Sequence, residues 1–308
     1  MESEVLISVV SPVYQAEGML DELVERIIAA VAPITDRFEV VLVDDRSRDN
    51  SWQKLKQLAA SDSRVKAIRL SRNFGQHYAI TAGLDAAHGQ WVVVIDCDLQ
   101  DRPEEIPRLF DKASEGFEIV QARRTNRRDP FLKRFFSRLF YRSLAYLSGT
   151  THDETIANFG IYHRKVIVQV NQLRESIRFF PTMIRWVGFR SATVDVEHAQ
   201  RAEGKSQYNF RKLMMLALDI ILAYSDRPLR LVIKLGMVIA IFSLVFILIT
   251  AYKWYAGDIQ VLGYPSLIIS IWLLSGCLMT TLGVVGLYVG KTFEGIKNRP
   301  IYIVDETV

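Results

Sequence analysis

The chain has 308 residues, half of them hydrophobic, a formal net charge of +4 and only two cysteines, Cys97 and Cys277. That length has room for about two domains, and two cysteines, one among acids and one inside an apolar run, exclude a disulfide framework and a zinc cluster. The first ten residues lack a basic stretch followed by a long apolar run, so no signal peptide is predicted.

Up to Ala122, short β-rich runs alternate with helical patterns. The periodicity predicts strands at Leu6–Ser11, Glu39–Val43, Val65–Leu70, Trp91–Ile95 and Glu118–Ala122, with helices at Gly18–Ala32, Ser51–Ala60, Gln76–Ala87 and Pro103–Glu115 between them. Strand and helix alternating at this spacing means crossover connections, hence an α/β fold with a mostly parallel sheet and helices on both faces. Ligands of such folds gather where the strands end. Four polar clusters lie just past predicted strands: Ser11 to Gln15, Asp44 to Ser47, Ser71 to Gly75 and Asp96 to Asp101.

From Arg123 the composition changes. Eight Arg and Lys residues between Arg123 and Arg142 are interleaved with Phe131, Phe135, Phe136, Phe140 and Tyr141. Arg134, Arg138 and Arg142 recur every four residues, which predicts a basic amphipathic helix over about 131–147 on an anionic membrane surface rather than a nucleic-acid site. A second amphipathic segment, 208–224, leads to two long apolar runs, about 231–251 and 266–290. Each is as long as the ~20 residues a helix needs to cross a bilayer. Arg227, Arg230 and Lys234 flank the first run, and Lys291, Lys297 and Arg299 follow the second, so both chain ends are expected on the cytoplasmic side of a bacterial inner membrane. The expected organisation is a cytoplasmic domain over 1–225, a two-helix membrane region over 226–290 and a cytoplasmic tail over 291–308.

The run Val92-Val93-Val94-Ile95-Asp96-Cys97-Asp98-Leu99-Gln100-Asp101 is a buried-type strand that ends in acids and an amide. Carboxylates there suit a divalent cation, Mg2+ or Mn2+, whose remaining positions go to phosphate oxygens and water. The chain has no Gly-x-x-x-x-Gly-Lys-Ser/Thr phosphate loop, and Ser11-Pro12-Val13-Tyr14-Gln15 stands where a dinucleotide fold would carry Gly-x-Gly-x-x-Gly.

The blocks Ser8-Val9-Val10-Ser11-Pro12-Val13-Tyr14, Leu42-Val43-Asp44-Asp45-Arg46-Ser47, Leu70-Ser71-Arg72-Asn73-Phe74-Gly75-Gln76 and Asp96-Cys97-Asp98-Leu99-Gln100-Asp101 resemble those of glycosyltransferase family 2. More narrowly, with Phe179-Phe180-Pro181, Arg201-Ala202-Glu203-Gly204-Lys205-Ser206 and Asn298-Arg299-Pro300, the chain resembles the polyprenyl-phosphate glycosyltransferases, the group of the dolichol-phosphate mannose, bactoprenol glucose and aminoarabinose transferases. The resemblance spans nearly the whole chain. It implies a GT-A-like fold and a nucleotide-sugar donor, with UDP-glucose the first choice. The implied acceptor is undecaprenyl or another polyprenyl phosphate, and the product one lipid-linked sugar for O-antigen or other envelope glycans. A homo-oligomer is possible in this group.

Carried onto this chain, the resemblance implies that Pro12, Tyr14, Glu17, Asp44, Asp45, Asn73, Gly75 and Asp96 line the nucleotide side, and that Asp96, Asp98 and Gln100 hold the metal. Arg123, Arg138, Arg201, Lys205 and Ser206 are the implied contacts of the acceptor phosphate. Asp96, Asp98 and Asn158 are the expected catalytic set. Asn158 stands where the family often has a carboxylate proposed as a base; Ala16 replaces a frequent acid, with Glu17 one place later, and Arg46 replaces a common glycine. Two other readings are a processive polysaccharide synthase, which would carry Gln-x-x-Arg-Trp where only Arg185-Trp186 is found, and a membrane transport or scaffold protein with an inactive transferase domain.

Overall fold

The computed structural model describes residues 5–125, 156–175, 178–197, 227–255, 263–297 and 299–308. Strands β1 (Ile7–Val13), β2 (Phe38–Asp44), β3 (Val65–Leu70) and β4 (Trp91–Val94) alternate with helices α1 (Leu20–Val31), α2 (Ser51–Ser61) and α3 (Gln76–Ala86). Helix α4 (Ile106–Ser114), entered through a short turn of 3-10 helix at Pro103–Glu105, leads to β5 (Ile119–Thr125). Then come β6 (Ile156–His163), α5 (Arg164–Gln172), α6 (Phe180–Trp186), β7 (Ser191–Glu197), two long helices α7 (Arg227–Tyr255) and α8 (Tyr264–Ile296), and β8 (Val304–Thr307).

Among the described residues these strands form one sheet in the order β7-β5-β6-β4-β1-β2-β3-β8. Strand β1 runs parallel to β2 and β4, β2 to β3, and β5 to β7, whereas β6 is antiparallel to β4 and β5, and β8 to β3. The mostly parallel α/β sheet expected from the sequence is present. The expected tail at 291–308 has structure of its own: α8 continues to Ile296 and β8 adds to the edge of β3.

All seven residues of β1 and of β2 are buried, as strands covered on both faces require. Alternation divides their side chains between two cores. Ile7, Val9 and Val13 of β1 meet Leu20, Leu23 and Ile27 of α1, Leu55 of α2 and Leu109 of α4. On the other face Val10, Val41 and Val43 meet Ile80 and Leu84 of α3, Val166 and Val170 of α5, and Met183 of α6. In α1 the buried set Leu20, Leu23, Val24, Ile27 and Val31 follows the three-and-four spacing of one helical face, and each large apolar side chain contributes about 1.5–3 kcal/mol by leaving water. Gly83 lets α3 press onto the sheet, for a Cβ there would lie 2.3 Å from Val10 Cγ1.

The chain divides into two compact units. One comprises Met1–Ser137, His152–Gln207 and Arg299–Val308, the other Arg138–Thr151 and Tyr208–Asn298. In the second, α7 and α8 expose many large apolar side chains, Phe242 and Met279 among them. Within α8 the stretch Leu273–Phe293 is long and apolar enough to cross a membrane. The expected amphipathic segments, 131–147 and 208–224, lie outside the described residues.

Candidate active site at the carboxyl edge of the sheet

Strands β1 to β4 all point the same way, so the loops that follow them share one edge. Each loop turns through a left-handed residue. Gln15 (φ 53°), Arg46 (φ 58°) and Leu99 (φ 57°) follow β1, β2 and β4, and Gly75 (φ 110°) follows β3. For the three with a side chain this conformation costs roughly 1–2 kcal/mol each, and strain of that kind collects where a ligand is handled.

Hydroxyls lace the first two loops together. The Gln15 N–H donates to Ser47 Oγ (2.9 Å) and the Ala16 N–H to Ser51 Oγ (3.0 Å). Glu17, exposed, accepts from the Asn50 backbone and side chain at 3.3 Å each, and its own N–H donates to Asp49. Tyr14 reaches outward, 36% exposed, while its backbone N–H turns toward the Cys97 thiol of the β4 loop. Pro12 is buried within β1, opposite Val43.

Asp44 ends β2 and Asp45 follows it. Asp44 is fully buried; its Oδ1 accepts the Ser47 N–H at 3.0 Å, and its Oδ2 faces Arg69 Nε in an ion pair at 3.5 Å, without a hydrogen bond. Burial raises its pKa, against the opposing pull of Ser47 and Arg69. Asp45 accepts the Phe74 and Gly75 N–H groups at 2.7 and 2.8 Å, and Asn73 Nδ2 donates to its carbonyl oxygen at 3.2 Å. Its carboxyl is pushed up to about 6, burial outweighing those two donors. Asp45 thus fixes the loop after β3, and Asn73 and Gly75 meet it there.

Beyond β4, Asp96 and Asp98 are half-buried at the mouth of the edge. Gln76, the first residue of α3, donates its amide to Asp96 Oδ1 at 2.7 Å. Asp98 Oδ1 accepts the Gln100 N–H at 3.2 Å, which with left-handed Leu99 folds the loop back on itself. Cys97 packs against the first core, and burial pushes its pKa up to about 12, so the thiol stays neutral. Asn158 sits at the same edge: Gly160 of antiparallel β6 pairs with Val94, and two residues onward from Val94 and two back from Gly160 come Asp96 and Asn158.

Among the described residues no three or more His, Cys, Asp and Glu side chains converge to hold a metal. Asp96, Asp98 and Gln100, the expected ligands, would offer oxygen donors at an open edge. Such a set fits a hard cation shared with phosphate oxygens better than a closed protein cage.

Arg123 of β5 grips Asp195, its register partner on β7, through Nε to Oδ1 (2.6 Å) and Nη2 to Oδ2 (3.1 Å). That grip holds the Asp195 carboxyl below its ordinary value. The other expected acceptor contacts, Arg138, Arg201, Lys205 and Ser206, lie outside the described residues. Sequence reasoning did not single out Gln76, Ser47, Ser51 or Arg69 as parts of the site. Gln76 had a signal, since it stands directly behind the glycine that opens α3.

Residues 8–170 match the model of the family described as Glycosyl transferase family 2. An uncharacterized glycosyltransferase of Synechocystis is 35% identical over 97% of this chain and 95% of its own length. The undecaprenyl-phosphate 4-deoxy-4-formamido-L-arabinose transferase of Proteus mirabilis is 34% identical, covering 98% of this chain and 94% of its own. Among solved structures, glucosyl-3-phosphoglycerate synthase of Mycobacterium tuberculosis, in complex with Mn2+, uridine-diphosphate and phosphoglyceric acid, superposes with a TM-score of 0.50 at 18% identity over 71% of this chain and 77% of that one. That likeness establishes the GT-A-like fold.

Proposed function

We propose, for a chain that belongs to glycosyl transferase family 2, that it moves a single sugar from a nucleoside diphosphate to a polyprenyl phosphate at a membrane surface. The observation that carries this reading is the meeting at one edge of four strand-end loops, three of them strained, with Asp96 and Asp98 at its mouth. The relative from Proteus mirabilis, named for transfer to undecaprenyl phosphate and similar along almost its full length, supports the acceptor.

In this reading the donor lies across the carboxyl edge. Its base stacks on Tyr14 beside Asp44, with Asp45 acting through the Phe74–Gly75 backbone that it holds. Asp96, Asp98 and Gln100 hold Mg2+ or Mn2+, which when bound supplies charge stabilisation for the leaving diphosphate. The acceptor is a phosphate monoester with a second pKa near ~6, largely dianionic at neutral pH, so Asn158 need not be a base. An oxygen of the lipid phosphate bonds to the anomeric carbon as the bond to the nucleoside diphosphate breaks, inverting the configuration. Much of the rate then comes from holding the two substrates together. Arg123 with Arg138, Arg201, Lys205 and Ser206 receives the acceptor phosphate; a planar guanidinium suits that partner.

The exposed apolar surfaces of α7 and α8 support two membrane spans, since uncovered patches of that size mark a lipid or protein partner. The flanking basic residues put residues 1–225 and the segment after α8 on the cytoplasmic side. The donor of first choice is UDP-glucose, with a formamido-arabinose nucleotide the rival that the relatives suggest, and the product serves O-antigen or other envelope glycan modification.

The test is to incubate the purified protein with undecaprenyl phosphate, Mg2+ or Mn2+ and a panel of nucleotide sugars, then weigh the lipid. One added sugar is expected. A ladder of sugars would favour a polymerising synthase, and no accepted donor would overturn the assignment.

A further inference from the structure

The segment after α8 returns to the sheet. Strand β8 lies antiparallel on β3, with Ile68 opposite Thr307, Arg69 opposite Glu306 and Leu70 opposite Val304. The register skips Asp305. A bulge of this kind leaves one residue out of the ladder and re-aims its side chain. Here the carboxylate of Asp305 turns to Arg46 and pairs with its guanidinium.

Arg46 is the left-handed residue that follows Asp44 and Asp45. An arginine gains nothing from that backbone conformation, so the contact at its far end helps to hold the turn. A second line runs from the neighbouring residue. Glu306 Oε2 accepts the Trp52 Nε1–H at 3.0 Å, the Arg69 guanidinium lies over the Trp52 ring with its carbon 5.7 Å from the centroid, and Arg69 pairs with Asp44. The same segment touches the third loop, where the Ser71 N–H donates to the Ile303 carbonyl at 2.9 Å. Upstream, Tyr302 donates to Asp85 Oδ2 at 2.7 Å, and Arg174 clasps Asp85 through two bonds of 2.9 Å.

We infer that the strand Val304–Thr307 is a brace for the donor-nucleotide half of the site, with Asp305 and Glu306 as positioning residues that set the Asp44–Arg46 turn from two directions. This rests on the proposal that the turn faces the nucleotide. Neither residue touches the reacting atoms. Their loss is therefore expected in donor affinity and not in turnover at saturation.

The experiment is a double-mutant cycle in the full-length protein, read as UDP affinity by calorimetry and as donor KM, acceptor KM and kcat in the lipid assay. Asp305→Ala should weaken UDP binding and raise donor KM about threefold, the scale of an exposed ion pair, with kcat and acceptor KM unchanged. Glu306→Ala should do the same by its own route. Glycine adopts a left-handed turn without strain, so in an Arg46→Gly background Asp305→Ala should have no further effect.

An equal Asp305→Ala effect in both backgrounds, or one confined to kcat or to thermal stability, overturns the brace. Wild-type protein that binds no UDP or other nucleotide overturns the reading of the turn itself. Wild-type binding that Asp305→Ala and Glu306→Ala leave untouched overturns only the brace.

Discussion

The two edges of the sheet treat their buried acids in opposite ways. At the amino edge Glu39, 3% exposed, accepts from Ser8 Oγ, Lys66 Nζ and the His88 N–H, each at 2.6 Å, and Ser8 Oγ in turn accepts the Gly89 N–H at 2.7 Å. Burial raises its pKa, but the three donors outweigh that and leave it below its ordinary value. At the carboxyl edge Asp44 and Asp45 are shifted upward, and Ser11 Oγ and Asp44 Oδ2 are buried without a hydrogen-bond partner. A fully satisfied acid ties strands together; an under-satisfied one keeps binding capacity that folding has not used. The left-handed residues Gln15, Arg46 and Leu99 occur only at the carboxyl edge among the described strand ends.

Substitutions at the two edges should separate activity from stability. The largest effect is expected from Asp98→Ala, which should cut transferase activity on the order of a thousandfold while the melting temperature stays close to that of the wild type. Retained activity would remove the acidic motif from the chemistry.

Glu39→Ala should do the reverse. Stripping a buried, paired carboxylate costs about 3 kcal/mol, measurable by denaturant titration, with kcat of the folded fraction unchanged. Because the folded pKa of Glu39 is lowered, its contribution is complete above the unfolded value and is lost as pH falls through the folded one. The gap between mutant and wild type should therefore narrow in acid.

Asp45 gives a smaller, pH-dependent signal. Below about 6 its carboxyl is protonated and no longer accepts both the Phe74 and Gly75 N–H groups as a carboxylate. Donor KM should rise several-fold as pH drops through that value, and Asp45→Asn should flatten the profile at a uniformly higher KM. A limb near 6 that persists in Asp45→Asn would assign it to another group.

The smallest change is Gln15→Gly. Relief of left-handed strain, less the added freedom of the unfolded chain, should stabilise the protein by about 0.5 kcal/mol in thermal unfolding, whereas Gln15→Ala should not.

Much of this edge is legible in the amino-acid sequence. Buried strands such as Val92 to Ile95, helices in between and polar residues at each strand end locate the four loops, because a parallel sheet permits few alternatives. What stayed hidden depends on contacts distant in sequence. Nothing near Arg123 announces its pairing with Asp195, which requires β5 and β7 to be neighbours. Asp45 reads as a pocket residue, yet both its oxygens go to the backbone of another loop. Strand β8, with Val304, Asp305, Glu306 and Thr307 all exposed, has no apolar alternation to betray it.

Strand order also has a consequence for how the protein is made. The partner of β3 is encoded after both long helices, so the flank of the catalytic sheet stays open while α7 and α8 leave the ribosome. At ordinary elongation rates the whole stretch from the end of β3 at Leu70 to the start of β8 at Val304 takes on the order of ten to fifty seconds. Throughout it the unpaired edge of β3 is a place where two nascent chains can stick together.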